Sequence, residues 1–265
     1  MKKVAKRQAR RETEEPMRAP SPLLLALEGR AFFEWAAYVA AWPLLARAAR
    51  GDGHPVLVLP GLIASDSSTQ PLRAYLTELG YEVHGWGLGR NMGLKPGLED
   101  KMKARLSELH ETTGRKVSVI GWSLGGIYAR EIANEVPEAV RSVITLGSPL
   151  HGDPRATNAW RIYELASGQS IDDPQLKKLR DEPPPVPTTS IFSRSDGIVA
   201  WRCSVEPPTD HSECIEVMGS HCGLGVNASV LYAVADRLAQ PEGDWQKFDR
   251  GGLRTWVFPD PYRAF

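Results

Sequence analysis

The sequence predicts an α/β fold, a mostly parallel sheet of about six strands with helices on both faces. Three observations carry this reading. From Pro55 onward, short β-favouring apolar runs alternate with helical segments. One of them, Val117-Ser118-Val119-Ile120, runs directly into Gly121-Trp122-Ser123-Leu124-Gly125 and then into a helical pattern. Two polar segments, Ser195-Asp196 and Ser220-His221, each follow a strand, on the edge where a parallel sheet gathers its reactive groups.

Residues 1–20 read as a disordered basic tail, with Lys2, Lys3, Lys6, Arg7, Arg10 and Arg11 near the start. Residues 21–50 read as a helical extension packed on the body. Its apolar stretch Leu23–Leu27 is broken by Glu28 and Arg30, and no clear cleavage site follows, so it does not read as a secretory signal. The uncharged run Trp35–Ala46 has 12 residues and contains Pro43, against about 20 needed to span a bilayer. These features predict a cytoplasmic chain, with peripheral membrane contact through residues 1–50 as an open option.

Residues 51–240 carry the sheet. Val56-Leu57-Val58-Leu59 is a buried strand, ended by Pro60-Gly61. A helix follows, with Ser67 or Ser68 as its cap, Pro71 in its first turn and Gly80 as its stop. Tyr81–Trp86 is the second strand. Leu98–Thr113 is an amphipathic helix stopped by Gly114, and Lys116–Gly121 is the third strand. The next helix ends near Glu135, before Pro137, and Val140–Leu146 is the fourth strand. The stretch from about 150 to 187 reads as a long, polar, irregular insertion of the kind that forms a cap or lid. Strands resume at Thr188–Ser193 and Ile215–Met218, and a helix covers about Asn227–Ala239. The tail, residues 241–265, is expected to wrap over the body and to pack Trp245, Trp256 and Phe258 against it.

The charges balance, with 32 Lys+Arg against 32 Asp+Glu, which removes the electrostatic ground for a nucleic-acid partner. Three cysteines argue against a disulfide framework, although a single Cys203–Cys214 bridge is conceivable. Cys203, His211, Cys214, His221 and Cys222 match no common zinc spacing, so no metal is assigned.

Gly121-Trp122-Ser123-Leu124-Gly125 on a strand-to-helix turn holds a serine hydroxyl exposed at the sheet edge. Such a hydroxyl needs a base, and the base needs an orienting acid. Of six histidines, His221 is the one placed just past the last strand. Asp196 follows Ile191–Ser195, and Gly197 would let the chain turn. Asp173, Asp181 and Asp210 are rival acids that do not sit at strand ends. An oxyanion site needs two backbone donors. The residue after the serine, Leu124, supplies one. The loop after the first strand supplies the other through Leu62, because Pro60 has no N–H. Trp160 and Tyr163, in the insertion, are candidates for contact with an acyl group, and the alternative is that they pack the insertion onto the sheet. Asp66 is read as the cap of the next helix, with ordering of the loop after the first strand as the alternative.

Over about Pro55–Ala239 the chain resembles α/β-hydrolases of the bacterial lipase/esterase kind. The motifs that carry the resemblance are Leu59-Pro60-Gly61-Leu62, Gly121–Gly126, Thr145-Leu146-Gly147-Ser148-Pro149, Ser195-Asp196-Gly197 and Gly219-Ser220-His221. It implies an α/β-hydrolase fold, the chain order Ser123, Asp196, His221, and cleavage of carboxylic esters without a cofactor. Many such lipases carry His-Gly where this chain has Pro60-Gly61. The same residues are compatible with an acyltransferase, thioesterase or amidase, and with a non-catalytic protein that binds lipid or a partner.

Overall fold

A computed structural model describes residues 17–181 and 183–263. The basic tail predicted for residues 1–20 therefore lies largely outside the described residues. Six strands form one parallel sheet: β1 (Pro55–Leu59), β2 (Glu82–Gly85), β3 (Val117–Trp122), β4 (Val140–Leu146), β5 (Thr188–Ser193) and β6 (Ser212–Val217). Their spatial order is β2-β1-β3-β4-β5-β6.

Strand β1 shows how the sequence builds two cores. Every residue in it is buried, and side chains alternate between faces. Val56 and Val58 enter one cluster, with Leu72, Leu76, Val230 and Val234. Leu57 and Leu59 enter the other, with Met102, Leu106, Ile127 and Ile132. The first face is covered by α2 (Ala31–Leu45), α3 (Gln70–Glu78) and α8 (Ala228–Leu238). The second is covered by α4 (Leu98–Thr113) and α5 (Leu124–Glu135). Each aliphatic side chain buried this way stabilises the fold by about 1.5–3 kcal/mol.

The helix ends follow local chemistry. Asn227 Oδ1 accepts from the N–H groups of Ser229 (3.0 Å) and Val230 (3.3 Å), capping α8. Gly114 ends α4 with φ 64°, a left-handed conformation that an L side chain resists. The N-cap of α3 is Thr69, one residue past Ser68 of the two predicted caps. The side chain of Asp66 does not cap it. Its two oxygens accept from Trp86 N and Gly87 N, both at 3.0 Å, and so tie down the loop after β2.

Three further expectations are corrected. The insertion contains two short helices, α6 (Trp160–Ser167) and α7 (Pro174–Asp181). Asp173-Pro174 is a capping pair, and Asp173 Oδ1 accepts from Gln175 N at 2.8 Å. Leu176 and Leu179, three residues apart, are both buried in the second core. In the tail, Phe258 is buried and packs edge-on against Phe248 at 4.8 Å, but Trp256 is 88% exposed and Trp245 is half-buried. Finally, all three cysteines are free thiols. Cys203 Sγ lies 3.6 Å from Met17 Sδ, and Cys214 Sγ donates to Glu206 O at 3.5 Å, so the conceivable bridge is not formed. Burial pushes both thiols up to about 11.

The N-terminal extension consists of α1 (Pro22–Ala26), a 3₁₀ turn (Leu27–Arg30) and α2. Its 3₁₀ turn meets the loops after β5 and β6, and α2 runs on to α3, where Tyr75 OH donates to Leu45 O at 3.2 Å. Helix α2 is apolar apart from Glu34 and buries Tyr38 and Leu45, leaving Phe32 and Phe33 72% and 73% exposed. Among the described residues, no helix is long and apolar enough to cross a membrane.

Candidate active site

Ser123 stands between β3 and α5 with φ 55° and ψ −122°, a conformation that costs a non-glycine residue energy. The neighbouring glycines make the turn sterically feasible. A Cβ on Gly121 would overlap the backbone of Gly125 and Gly126, and one on Gly125 would meet Leu59 O at 2.5 Å. The Ser123 N–H is used internally, donating to Leu146 O at 2.8 Å. The N–H of Leu124 opens α5 and has no intramolecular acceptor among the described residues, and the same holds for Leu62 N–H. Both residues line the cleft that contains Ser123. A helix start presents such unpaired donors to developing negative charge.

Asp196 lies three residues past the end of β5, and His221 four residues past the end of β6. The structure brings them together. His221 Nδ1–H donates to Asp196 Oδ2 at 2.6 Å, with both side chains buried. The other carboxylate oxygen, Oδ1, accepts from Ile198 N (2.8 Å) and Val199 N (2.7 Å), which fixes the rotamer of the acid. Gly147, at the end of β4, leaves the room this pair needs. A side chain there would come within 3.1 Å of both Asp196 Oδ2 and His221 Nδ1. Burial disfavours the charged imidazole, but the charge and hydrogen bond of Asp196, with the charge of Glu28, outweigh it. His221 therefore holds its proton above the ordinary imidazole range. With Nδ1 turned to Asp196, Nε2 is left for substrate chemistry, and His221 and Ser123 line the same cleft. Of the rival acids, Asp173 caps α7 and Asp210 is exposed ahead of β6. The side chain of Asp181 lies outside the described residues.

Two clefts meet at Ser123. One is walled by Leu62, Ile127, Trp160, Tyr163, Ile171 and Leu176. The other, of ≈ 310 Å³, reaches solvent past Ile63, Ile162 and Ile198. Trp160 and Tyr163 thus stand at the serine while also packing the insertion onto the second core. Among the described residues, no group of three or more His, Cys, Asp or Glu side chains is placed to hold a metal ion.

No protein-family model matches the chain. One curated relative is the pimeloyl-[acyl-carrier protein] methyl ester esterase of Shewanella woodyi, 33% identical over 113 residues. That match spans 42% of this chain and 42% of the relative, less than half of its length. Among solved structures, Aspergillus fumigatus lipase B superposes with a TM-score of 0.57 at 17% identity, over 75% of this chain and 56% of that one. The monoacylglycerol lipase of Paleococcus ferrophilus gives 0.51 at 16% identity, over 72% and 96%. An alpha/beta superfamily hydrolase of Oenococcus oeni gives 0.51 at 17% identity, over 70% and 91%. The chain has the α/β-hydrolase fold.

Two parts of the candidate site were not anticipated from the sequence. Asn91, fully buried, donates from Nδ2 to Pro60 O at 2.9 Å, and its backbone carbonyl accepts from Ile63 N at 2.6 Å. It props the loop that bears Leu62. Asn-Met-Gly after the second strand carried no signal that ties it to a loop some 30 residues away. Glu28 and Arg30 come from the N-terminal extension and bond to the loops of the acid and base. Here a signal was present, because two charges interrupting an apolar helical run need buried partners or an exposed face. Gly197 lies in the bend after Asp196, without a left-handed φ. It leaves space for the Leu24 backbone and the Glu28 carboxylate, which lie where its Cβ would be.

Proposed function

We propose that the chain is a serine hydrolase that cleaves carboxylic esters through an acyl-enzyme on Ser123. The observation that carries this reading is the buried 2.6 Å hydrogen bond between His221 Nδ1 and Asp196 Oδ2, on the cleft where Ser123 is held at φ 55°. The Ser123 hydroxyl attacks the ester carbonyl carbon as His221 Nε2 takes its proton. Asp196 stabilises the imidazolium and stays ionised throughout. The carbonyl oxygen gains negative charge and is met by the N–H groups of Leu62 and Leu124. Collapse of the tetrahedral intermediate breaks the bond to the alcohol, which leaves with the proton from His221. Water, deprotonated by the same ring, then releases the acid and regenerates Ser123. The residues supply every proton transfer, so the scheme calls on no cofactor.

The apolar walls around Trp160, Tyr163, Ile127 and Leu176 favour an ester with an apolar acyl group. Transfer to an alcohol or amine in place of water would make the same site an acyltransferase, and a thioester or amide substrate would make it a thioesterase or amidase. Competing nucleophiles separate transfer from hydrolysis, and the substrate cleaved separates the rest. Exposed Phe32, Phe33 and Leu44 on α2, next to a sequence tail rich in Lys and Arg, further support peripheral contact with an anionic lipid surface. Phe32→Glu with Phe33→Glu should release the full chain from phosphatidylserine vesicles in co-sedimentation. Unchanged binding removes that part of the proposal.

Labelling by an active-site fluorophosphonate tests the central reading. Labelling should occur in the wild type and vanish in Ser123→Ala. If the Ser123→Ala protein still labels, the nucleophile lies elsewhere. If neither protein labels nor turns over esters from short to long acyl chains, the non-catalytic alternative stands.

A further inference from the structure

We propose that the N-terminal extension is a positioning clamp, in which Glu28 and Arg30 set the separation of the acid and base loops. The proposal rests on the triad reading above.

Past β5 and β6 the two loops have left the ladder, whose last register pair is Ser193 with Val217. Ser193 Oγ donates to Gly219 O at 2.7 Å and accepts from Gly219 N at 3.2 Å, and Ser195 Oγ donates to Gly219 O at 3.1 Å. The extension adds bridges that reach the residues flanking Asp196, and His221 itself. Glu28 Oε1 accepts from Gly197 N (2.7 Å), next to the acid, and from His221 N (3.0 Å), the base itself. Glu28 Oε2 accepts from Cys222 N at 2.8 Å. A single carboxylate therefore binds the backbone on both sides of the Asp196–His221 hydrogen bond. Arg30 repeats the bridge with the opposite charge. Its Nη2 donates to Ser195 O (2.6 Å), Ser195 Oγ (2.9 Å) and Gly219 O (2.8 Å). Glu34 closes the arrangement, accepting from Ser220 N at 2.7 Å and lying 3.5 Å from Arg30.

This is a large commitment for a segment outside the sheet. A buried carboxylate is costly unless its lone pairs are satisfied, and here three backbone N–H groups do so. The loops are also cut to receive it. A Cβ at Gly219 would come within 3.1 Å of Glu34 Oε2, and Gly197 and Gly223 leave space in the same way. Neither Glu28 nor Arg30 reaches the cleft that holds Ser123, so both act through Asp196 and His221.

The clamp has an electrostatic side. The charged or titratable groups around the His221 loop are Asp196 from the β5 loop, Glu28 and Arg30 from the 3₁₀ turn, Glu34 from α2, and Cys222. Glu28 favours the imidazolium, so removing its charge should move the acid limb of kcat/KM to lower pH. Loss of packing alone would not move that limb in a defined direction.

The test uses full-length Glu28→Gln, Arg30→Ala and Arg30→Lys, with Ser123→Ala as control. Hydrolysis of p-nitrophenyl butyrate is followed across pH, with fluorophosphonate labelling and thermal melting in parallel. Glu28→Gln should lower kcat by about 10- to 100-fold, the scale expected for misplaced catalytic groups. KM should stay within about threefold, as binding contacts are untouched, and the acid limb should move down. Arg30→Ala should lose kcat on the same scale, and Arg30→Lys should recover part of it through one or two of the three oxygens. A folded Glu28→Gln with wild-type kcat and an unmoved acid limb overturns the clamp. If Glu28→Gln does not fold, wild-type kcat in both Arg30 variants overturns it. The triad reading fails separately, through labelling of Ser123→Ala.

Discussion

Replacing Gly125 by Ala tests whether the geometry of the turn at Ser123 governs catalysis. A Cβ at residue 125 would lie 2.5 Å from Leu59 O, 2.8 Å from Pro60 O and 2.9 Å from Leu59 C. Comfortable carbon contacts begin near ~3.5 Å, so the overlap is on the order of 1 Å. The obstructing atoms are backbone and cannot rotate away. Relief requires α5 to move off the end of β1, and this motion separates the two candidate oxyanion donors. Leu124 N–H travels with the helix, while Leu62 N–H stays with the loop after Leu59 and Pro60. Losing one such donor costs about 10²–10³ in kcat. Overpacking should add about 1–3 kcal/mol of destabilisation, or roughly 2–10 °C in a chain of this size. Thermal melting and steady-state hydrolysis of p-nitrophenyl butyrate check both numbers. Gly29→Ala is the control, since a Cβ there meets nothing within 4 Å. A Gly125→Ala protein that melts with the wild type and keeps kcat within about threefold would refute the reasoning, because about 0.65 kcal/mol of barrier is all that such a factor represents.

Further outcomes follow from other sites. Asp196→Asn should lower kcat by about 10⁴, as expected for an imidazole left in the wrong tautomer, and should shift the acid limb of the pH–rate profile downward, because a charge that holds the His221 proton is removed. Burial alone would raise the Asp52 carboxyl, but hydrogen bonds from Arg141 and His54 hold it well below the carboxylate range. Its stabilising contribution is thus complete above pH about 4 and lost as pH falls through the depressed folded-state value. Urea unfolding should show Asp52→Asn less stable than the wild type at pH 7, with the gap narrowing as pH is lowered. Phe258→Ala should cost about 3–5 kcal/mol in the same assay, and Trp256→Ala, at an 88% exposed position, should stay within about 0.5 kcal/mol.

The readable parts of the sequence are those governed by backbone periodicity. Val56 to Leu59 had to be a buried strand because four consecutive apolar residues flanked by Pro serve two faces at once. The same logic put Asp196 and His221 one short loop beyond their strands, and the structure sets them 2.6 Å apart. The order of the strands in space, with β1 inside β2, was less accessible, since it depends on pairings between distant segments. The two helices of the insertion were hidden by Gly, Asp and Pro content, although Asp173-Pro174 and the Leu176–Leu179 spacing marked one of them. Asn91 was out of reach, and of Glu28 and Arg30 only the need for partners was legible, not which partners, for a common reason. Each acts on backbone atoms far away in the chain, and a backbone partner leaves no residue-type signature. Trp256 shows the converse error, because large apolar side chains are also found at exposed positions.

Among the described residues, the two non-glycines with positive φ are Ile63 and Ser123, both at 55°, and both border the cleft. Each such conformation holds about 1–3 kcal/mol of strain. Glycine at either position would relax it, so Ser123→Gly should give a more heat-resistant protein with no nucleophile. Durability and reactivity therefore pull in opposite directions at residue 123. The surrounding β3–α5 packing must supply the surplus stability that lets a serine remain there.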